Sequence, residues 1–123
     1  MRFGKHEECI VREELEKRFG VKFEKKKLSV HYRESCADDY RTLEFDFVSA
    51  DGRIVGQCKS SPLISRGAQF AEALFDCRKL ESLNAEKKLM IFTNEHSFER
   101  FKKKSEGLIS RDIDILYIPV PQQ

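Results

Sequence analysis

The stretch Leu43-Glu44-Phe45-Asp46-Phe47-Val48-Ser49-Ala50-Asp51-Gly52-Arg53-Ile54-Val55-Gly56-Gln57-Cys58-Lys59 decides how this chain is read. Two runs rich in Phe, Val and Ile flank Asp51-Gly52, a dipeptide that favours the tight type I′ turn of a β-hairpin. Strands over residues 43–49 and 53–60 follow from it. With Asp51 and Gly52 as the loop, Ala50 faces Arg53, Asp46 faces Gln57, and Glu44 faces Lys59. Directly opposed residues of an antiparallel pair point to the same side. One face therefore carries Glu44, Asp46, Gln57 and Lys59. The other carries Leu43, Phe45, Phe47, Ile54 and Cys58 and reads as core. An exposed Glu44–Lys59 pair alone would be an ordinary surface ion pair of little energetic weight. Two carboxylates, an amide and an ammonium gathered on one patch are harder to explain by packing.

Working outward, Val11, Leu15 and Phe19 recur at helical spacing over residues 7–18, and Gly20 stands where a helix C-cap would. Leu28, Val30 and Tyr32 alternate with polar residues, the period of a half-buried strand over 28–33. A polar loop with Asp38 and Asp39 leads into the hairpin. Beyond it, Phe70, Ala73, Leu74, Cys77 and Leu80 mark one face of a helix over about 65–84. Residues 89–93 are almost wholly apolar, as in a strand covered on both faces. A third helix over 95–106 packs through Phe98 and Phe101 and stops at Gly107, and a last strand over 113–118 ends at Pro119. The order αβββαβαβ predicts an α/β fold: a mixed sheet flanked by helices.

With 123 residues and no linker, repeat or low-complexity segment, the chain is expected to form one domain over residues 1–123. Apolar residues at 40% and charged residues at 36% suit a water-soluble domain. No apolar run approaches the ~20 residues of a membrane-spanning helix. The polar start, residues 1–9, lacks the features of a secretory signal, so the cytoplasm, or a nucleus-like compartment, is the expected location. Cys9, Cys36, Cys58 and Cys77 are not spaced as metal ligands or as a redox pair, and His6, His31 and His96 are equally scattered. The formal net charge of +2 does not announce a nucleic-acid partner, but the charge is clustered in Lys25, Lys26 and Lys27 and again in Lys102, Lys103 and Lys104.

On the first helix, Glu8 projects within about 20° of Leu15 and Phe19, so a carboxylate lies on the stripe that should face the core. A buried carboxylate calls for a cation, a metal or water. An N-terminal helix with an inward Glu, followed by Asp, ten residues, then Gln-x-Lys, resembles the PD-(D/E)XK nuclease superfamily, whose core order αβββαβ agrees with the order read above and leaves an extra αβ unit at the end. Glu8 is similar to the helix-one acid of that family, Asp46 to its metal-binding Asp, and Lys59 to its catalytic Lys. Gln57 departs from the usual acid and resembles the Gln-x-Lys variant of Mrr-type restriction endonucleases. Phe45 stands where Pro often precedes the Asp.

The resemblance implies a restriction-endonuclease-like fold and a metal-dependent endonuclease that hydrolyses DNA with Mg²⁺ or Mn²⁺. Asp46, Gln57 through its side-chain carbonyl, the main-chain carbonyl of Cys58, and Glu8 would hold the metal, with Glu44 as an accessory acid. Lys59 would hold or deprotonate the attacking water, or meet developing negative charge. Arg66 and Gln69, at the start of the second helix, and Lys102, Lys103 and Lys104 would contact DNA. So short a chain has little surface for reading bases, which suits a homodimer. The alternative expectation is a nuclease fold without chemistry, binding nucleic acid or a partner protein, and Gln57 is the residue that favours it.

Overall fold

The computed structural model of the chain describes residues 3–32, 39–59 and 67–121. In chain order these form α1 (Phe3–Phe19), β1 (Phe23–Tyr32), β2 (Asp39–Ser49), β3 (Ile54–Lys59), α2 (Gly67–Glu81), β4 (Lys87–Phe92), α3 (Glu95–Lys104) and β5 (Ile113–Tyr117). The strands make one mixed sheet in the order β1-β2-β3-β4-β5. The β1/β2 and β2/β3 pairs are antiparallel, whereas β3/β4 and β4/β5 are parallel, their crossovers made by α2 and α3. The fold is α/β, and the expected element order is observed.

Helix α1 covers one face of the sheet, where Val11 and Leu15 pack with Phe23, Phe47, Leu89, Ile91 and Ile118. Helices α2 and α3 cover the other, where Ala73, Cys77, Leu80 and Phe101 meet Val30, Phe45, Val48, Val55, Met90 and Phe92. Strand β4 lies between the two layers, and Leu89, Met90, Ile91 and Phe92 are all buried to within 1% of full enclosure, which explains the unbroken apolar run. Helix α3 starts at Asn94, whose side chain accepts the Ser97 N–H. Strand β1 begins five residues before its apolar alternation does, at Phe23 rather than Leu28. It lies at the edge of the sheet, and exposed Lys25, Lys26 and Lys27 there hide the strand period while discouraging pairing with another chain.

The hairpin keeps its expected register but not its expected turn. Phe47 pairs with Gly56 and Val48 with Val55. Among the described residues none other than glycine has positive φ, so Asp51 cannot occupy a type I′ position, whereas Gly52 has φ 73°. The chain instead turns across Ala50 and Asp51, with the Gly52 N–H bonded to the Ser49 carbonyl. Side chains close the rest: Ser49 Oγ donates to Asp51 Oδ1 at 2.7 Å and accepts the Ile54 N–H at 3.0 Å, while the Arg53 N–H donates to Asp51 Oδ1.

The two-face partition of the hairpin is corrected by a bulge. Between the β1/β2 pairs Glu24↔Val48 and Lys26↔Phe45, β2 advances three residues while β1 advances two. The extra residue on β2 reverses the alternation. Phe45 consequently packs under α2 and α3 with Val48, while Phe47 packs under α1. They do not share a face. Asp46 lies inside this bulge.

Candidate functional site

Below Phe47 and Gly56 the ladder between β2 and β3 stops, although β2 continues its pairing with β1 and β3 continues with β4 as far as Lys59↔Phe92. The two strands part, and side chains occupy the gap. The Asp46 N–H donates to Gln57 Oε1 at 3.2 Å, and the Cys58 N–H donates to Asp46 Oδ2 at 2.9 Å. Gln57 Nε2 makes a long contact, 3.5 Å, to the carbonyl of Glu44. Asp46 and Gln57 are thus cross-strand neighbours. Within one strand residue the N–H and C=O point to the same side. Since the Cys58 N–H points into the gap, its carbonyl does too.

Gln57 is 4% exposed, and its amide replaces the missing main-chain partner of β2, accepting at Asp46 and donating toward Glu44. The amide offers an acceptor and a donor on one planar group. Asp46 is half-buried, and its carboxyl is held above the usual carboxylate range chiefly by burial; the Cys58 N–H works against this, Glu8 raises it, Lys25 lowers it, and Asp76 raises it again. Asp46 therefore feels charges carried by α1, β1 and α2.

Lys59 points to the α2 side, where its Nζ lies 3.3 Å from Asp76 Oδ2. Beside this pair, Lys59, Ala71, Glu72, Phe75 and Asp76 line a recess of about 350 Å³, with Phe75 itself 60% exposed at its rim. Glu8 takes Lys25 as its partner, with the ammonium 3.2 Å from both carboxylate oxygens. The Lys25 ammonium is held above the usual lysine range, first by that hydrogen bond and, against its partial burial, by the charges of Glu8, Asp46 and Glu44. The carboxylate that α1 buries is Glu7, 7% exposed, which accepts from Thr93 Oγ1 at 3.2 Å. The stripe entering the core steps through Glu7, Val11 and Leu15 at i, i+4, and Glu8 lies at its edge toward β1.

The remaining candidates separate. Glu44 is exposed, and its carbonyl also accepts from Lys79 Nζ at 3.3 Å. It is not matched with Lys59, whose ammonium is turned to Asp76. Gln69 lies in the first turn of α2, half-buried. Arg66, Cys36 and Asp38 lie outside the described residues. Helix α3 runs back from the end of β4, so its last turn, Lys102–Lys104, lies toward Ile113 and Lys88, at the opposite end of the sheet from Lys59 and Phe92. The first basic run is the one next to the gap, since Lys26 and Lys27 pair with Phe45 and Glu44.

Three residues of this neighbourhood escape a sequence reading. Glu7 is signalled by its i, i+4 relation to Val11, whereas Lys25 and Asp76 become visible only once β1 and α2 are docked. Burial pushes the Cys58 thiol well above its usual range and the Cys77 thiol up to about 12, which disfavours the reactive thiolate at both positions. Among the described residues no group of three or more His, Cys, Asp or Glu side chains is arranged to hold a metal. The oxygens gathered at the gap are those of Asp46, Gln57 and Cys58, and Glu8 on α1 is near enough for its charge to raise the Asp46 carboxyl. This all-oxygen set suits a hard cation that keeps several waters, which is how Mg²⁺ is commonly held. No helix among the described residues is long and apolar enough to cross a membrane. Comparison of the chain with known family models, curated proteins and solved structures finds no match to any of them.

Proposed function

We propose that this domain is a restriction-endonuclease-like, metal-dependent nuclease acting on DNA at the gap between β2 and β3. The observation that carries the reading is the convergence of the Asp46 carboxylate, the Gln57 amide and the Cys58 carbonyl where the two strands part, with Lys59 at the end of the same strand. A bound Mg²⁺ or Mn²⁺ would polarise the phosphate and acidify a water. The protein's own groups do the rest. Asp46, oriented by the Cys58 N–H, and Glu8 would hold the cation, with the Gln57 and Cys58 oxygens as neutral donors. Asp76 positions the Lys59 ammonium, which meets the negative charge that develops on phosphate oxygens. Lys26 and Lys27, exposed beside the gap, offer phosphate contacts, and a homodimer would extend the surface available to a duplex.

A second reading, a nuclease fold that binds nucleic acid or protein without cleaving, is favoured by one observation: the Gln57 amide is already engaged with the β2 backbone. A panel of linear, nicked, branched and single-stranded DNA incubated with Mg²⁺, Mn²⁺ or EDTA separates the two. Cleavage that needs metal, falls by roughly 10² to 10³ in Lys59→Ala, and disappears in Asp46→Ala supports the enzyme. Silence across the panel with salt-sensitive DNA binding supports the module. Cleavage that survives EDTA and both substitutions overturns the mechanism.

A further inference from the structure

Lys25 is the member of its basic run that ion-pairs with α1. It stands in the register slip of β1 opposite Asp46 and Phe47, between the pairs Glu24↔Val48 and Lys26↔Phe45. Its ammonium lies 3.2 Å from each oxygen of Glu8, and its side chain is 43% exposed. The ammonium thus contacts Glu8 directly, and Asp46, across the register slip, feels its charge. The Lys25–Glu8 pair is weakly held for its geometry, because both partners remain in contact with water.

We infer that Lys25 is an exchangeable counter-cation, which neutralises Glu8 and Asp46 in the metal-free protein and is displaced when a divalent cation takes its place. The inference rests on the metal reading proposed above. An ammonium and a dication cannot both lie against the same carboxylates without repelling one another. The exposed stem of Lys25 lets its head swing outward to the strand edge, beside Lys26 and Lys27, where phosphate would receive it. Lys25 is thus a positioning residue that sets how tightly the site takes metal, and it makes metal and polyanion binding mutually supportive.

The test is binding of Mn²⁺ alone to the full chain, read from the electron paramagnetic resonance signal of the free ion. Lys25→Met should bind Mn²⁺ about tenfold more tightly than wild type, since a like charge has been removed from the site. Lys26→Met, which changes net charge by the same amount at an exposed neighbouring position, should stay within about twofold. Far-ultraviolet circular dichroism checks folding, and Lys25→Gln, which keeps a polar chain, replaces Lys25→Met if that variant unfolds. Equal Mn²⁺ affinity in wild type and the Lys25 variant overturns the inference alone. An equal gain in Lys26→Met also overturns it, by assigning the effect to net charge. Binding by none of the proteins overturns the metal reading and the inference together.

Discussion

Replacing Gln57 by Glu adds an acid beside Asp46 and simultaneously breaks what the amide does here. Either side-chain oxygen of Glu can still accept the Asp46 N–H, now 3.2 Å from Gln57 Oε1. The Nε2 donor is lost, and an oxygen faces the Glu44 carbonyl across the 3.5 Å now spanned by the amide. The Glu44 carbonyl keeps the Lys79 ammonium as a donor, so what is lost is one long hydrogen bond, about 0.5–1.5 kcal/mol, and the lower half of that range suits such a contact. A second negative charge also enters beside Asp46, whose own carboxyl is already pushed up by burial and by Glu8. Burial and that neighbour raise the new carboxyl in the fold above its unfolded value of ~4.3. A raised folded pKa means that the protonated form is the better tolerated one. The deficit of Gln57→Glu relative to wild type should accordingly be small below about pH 4 and grow to about 1–3 kcal/mol at pH 7, a fall in Tm of roughly 3–5 °C per kcal/mol for a domain of this size. Urea unfolding of both proteins at pH 4 and pH 7 measures it. Added Mg²⁺ should then recover stability at pH 7, by about 2.7 kcal/mol at a hundredfold excess over its Kd. Full wild-type stability at pH 7 without metal would refute the role of the amide as a main-chain substitute. A deficit that Mg²⁺ leaves untouched would refute a metal site at the gap.

Asp46→Asn keeps an acceptor for the Cys58 N–H while removing a carboxylate whose ionisation the fold disfavours, so it should be more stable than wild type by about 0.5–2 kcal/mol at pH 7, with the advantage gone below the unfolded pKa near ~3.9. A destabilised variant in thermal melts at pH 7 would contradict the raised pKa. If DNA is bound at the gap, neutralising Lys26 and Lys27 should flatten the salt dependence of affinity, whereas neutralising Lys102, Lys103 and Lys104 at the far end of the sheet should leave the slope unchanged; titrations across a salt series decide it. Gly56→Ala would place a methyl 3.3 Å from Leu89 Cβ and 3.4 Å from the Leu89 carbonyl, so chemical denaturation should report a loss of about 1–3 kcal/mol, and a neutral result would mean that β3 and β4 can separate without penalty.

The order of elements and the pairing of Asp46 with Gln57 were legible because both rest on local information. Apolar period separates helix from strand, Gly20 and Gly107 mark helix ends, and the spacing across Asp51-Gly52 sets the hairpin register whichever turn closes it. The apolar run at Leu89–Phe92 likewise announced a strand covered twice. Tertiary structure alone decided the rest. Whether β2 carries a bulge depends on its pairing with the edge strand β1, and that bulge sends Phe45 and Phe47 to opposite layers and opens the gap at Asp46. Which acid of α1 enters the core depends on how the helix docks over β4, where Thr93 receives Glu7 and leaves Glu8 to Lys25. Asp76 meets Lys59 only because the crossover lays α2 against the sheet, and the same crossover geometry carries the lysines of α3 away from the gap. Periodicity records how each residue sits on its own element. Charge partners across elements depend on docking distances that no local pattern encodes.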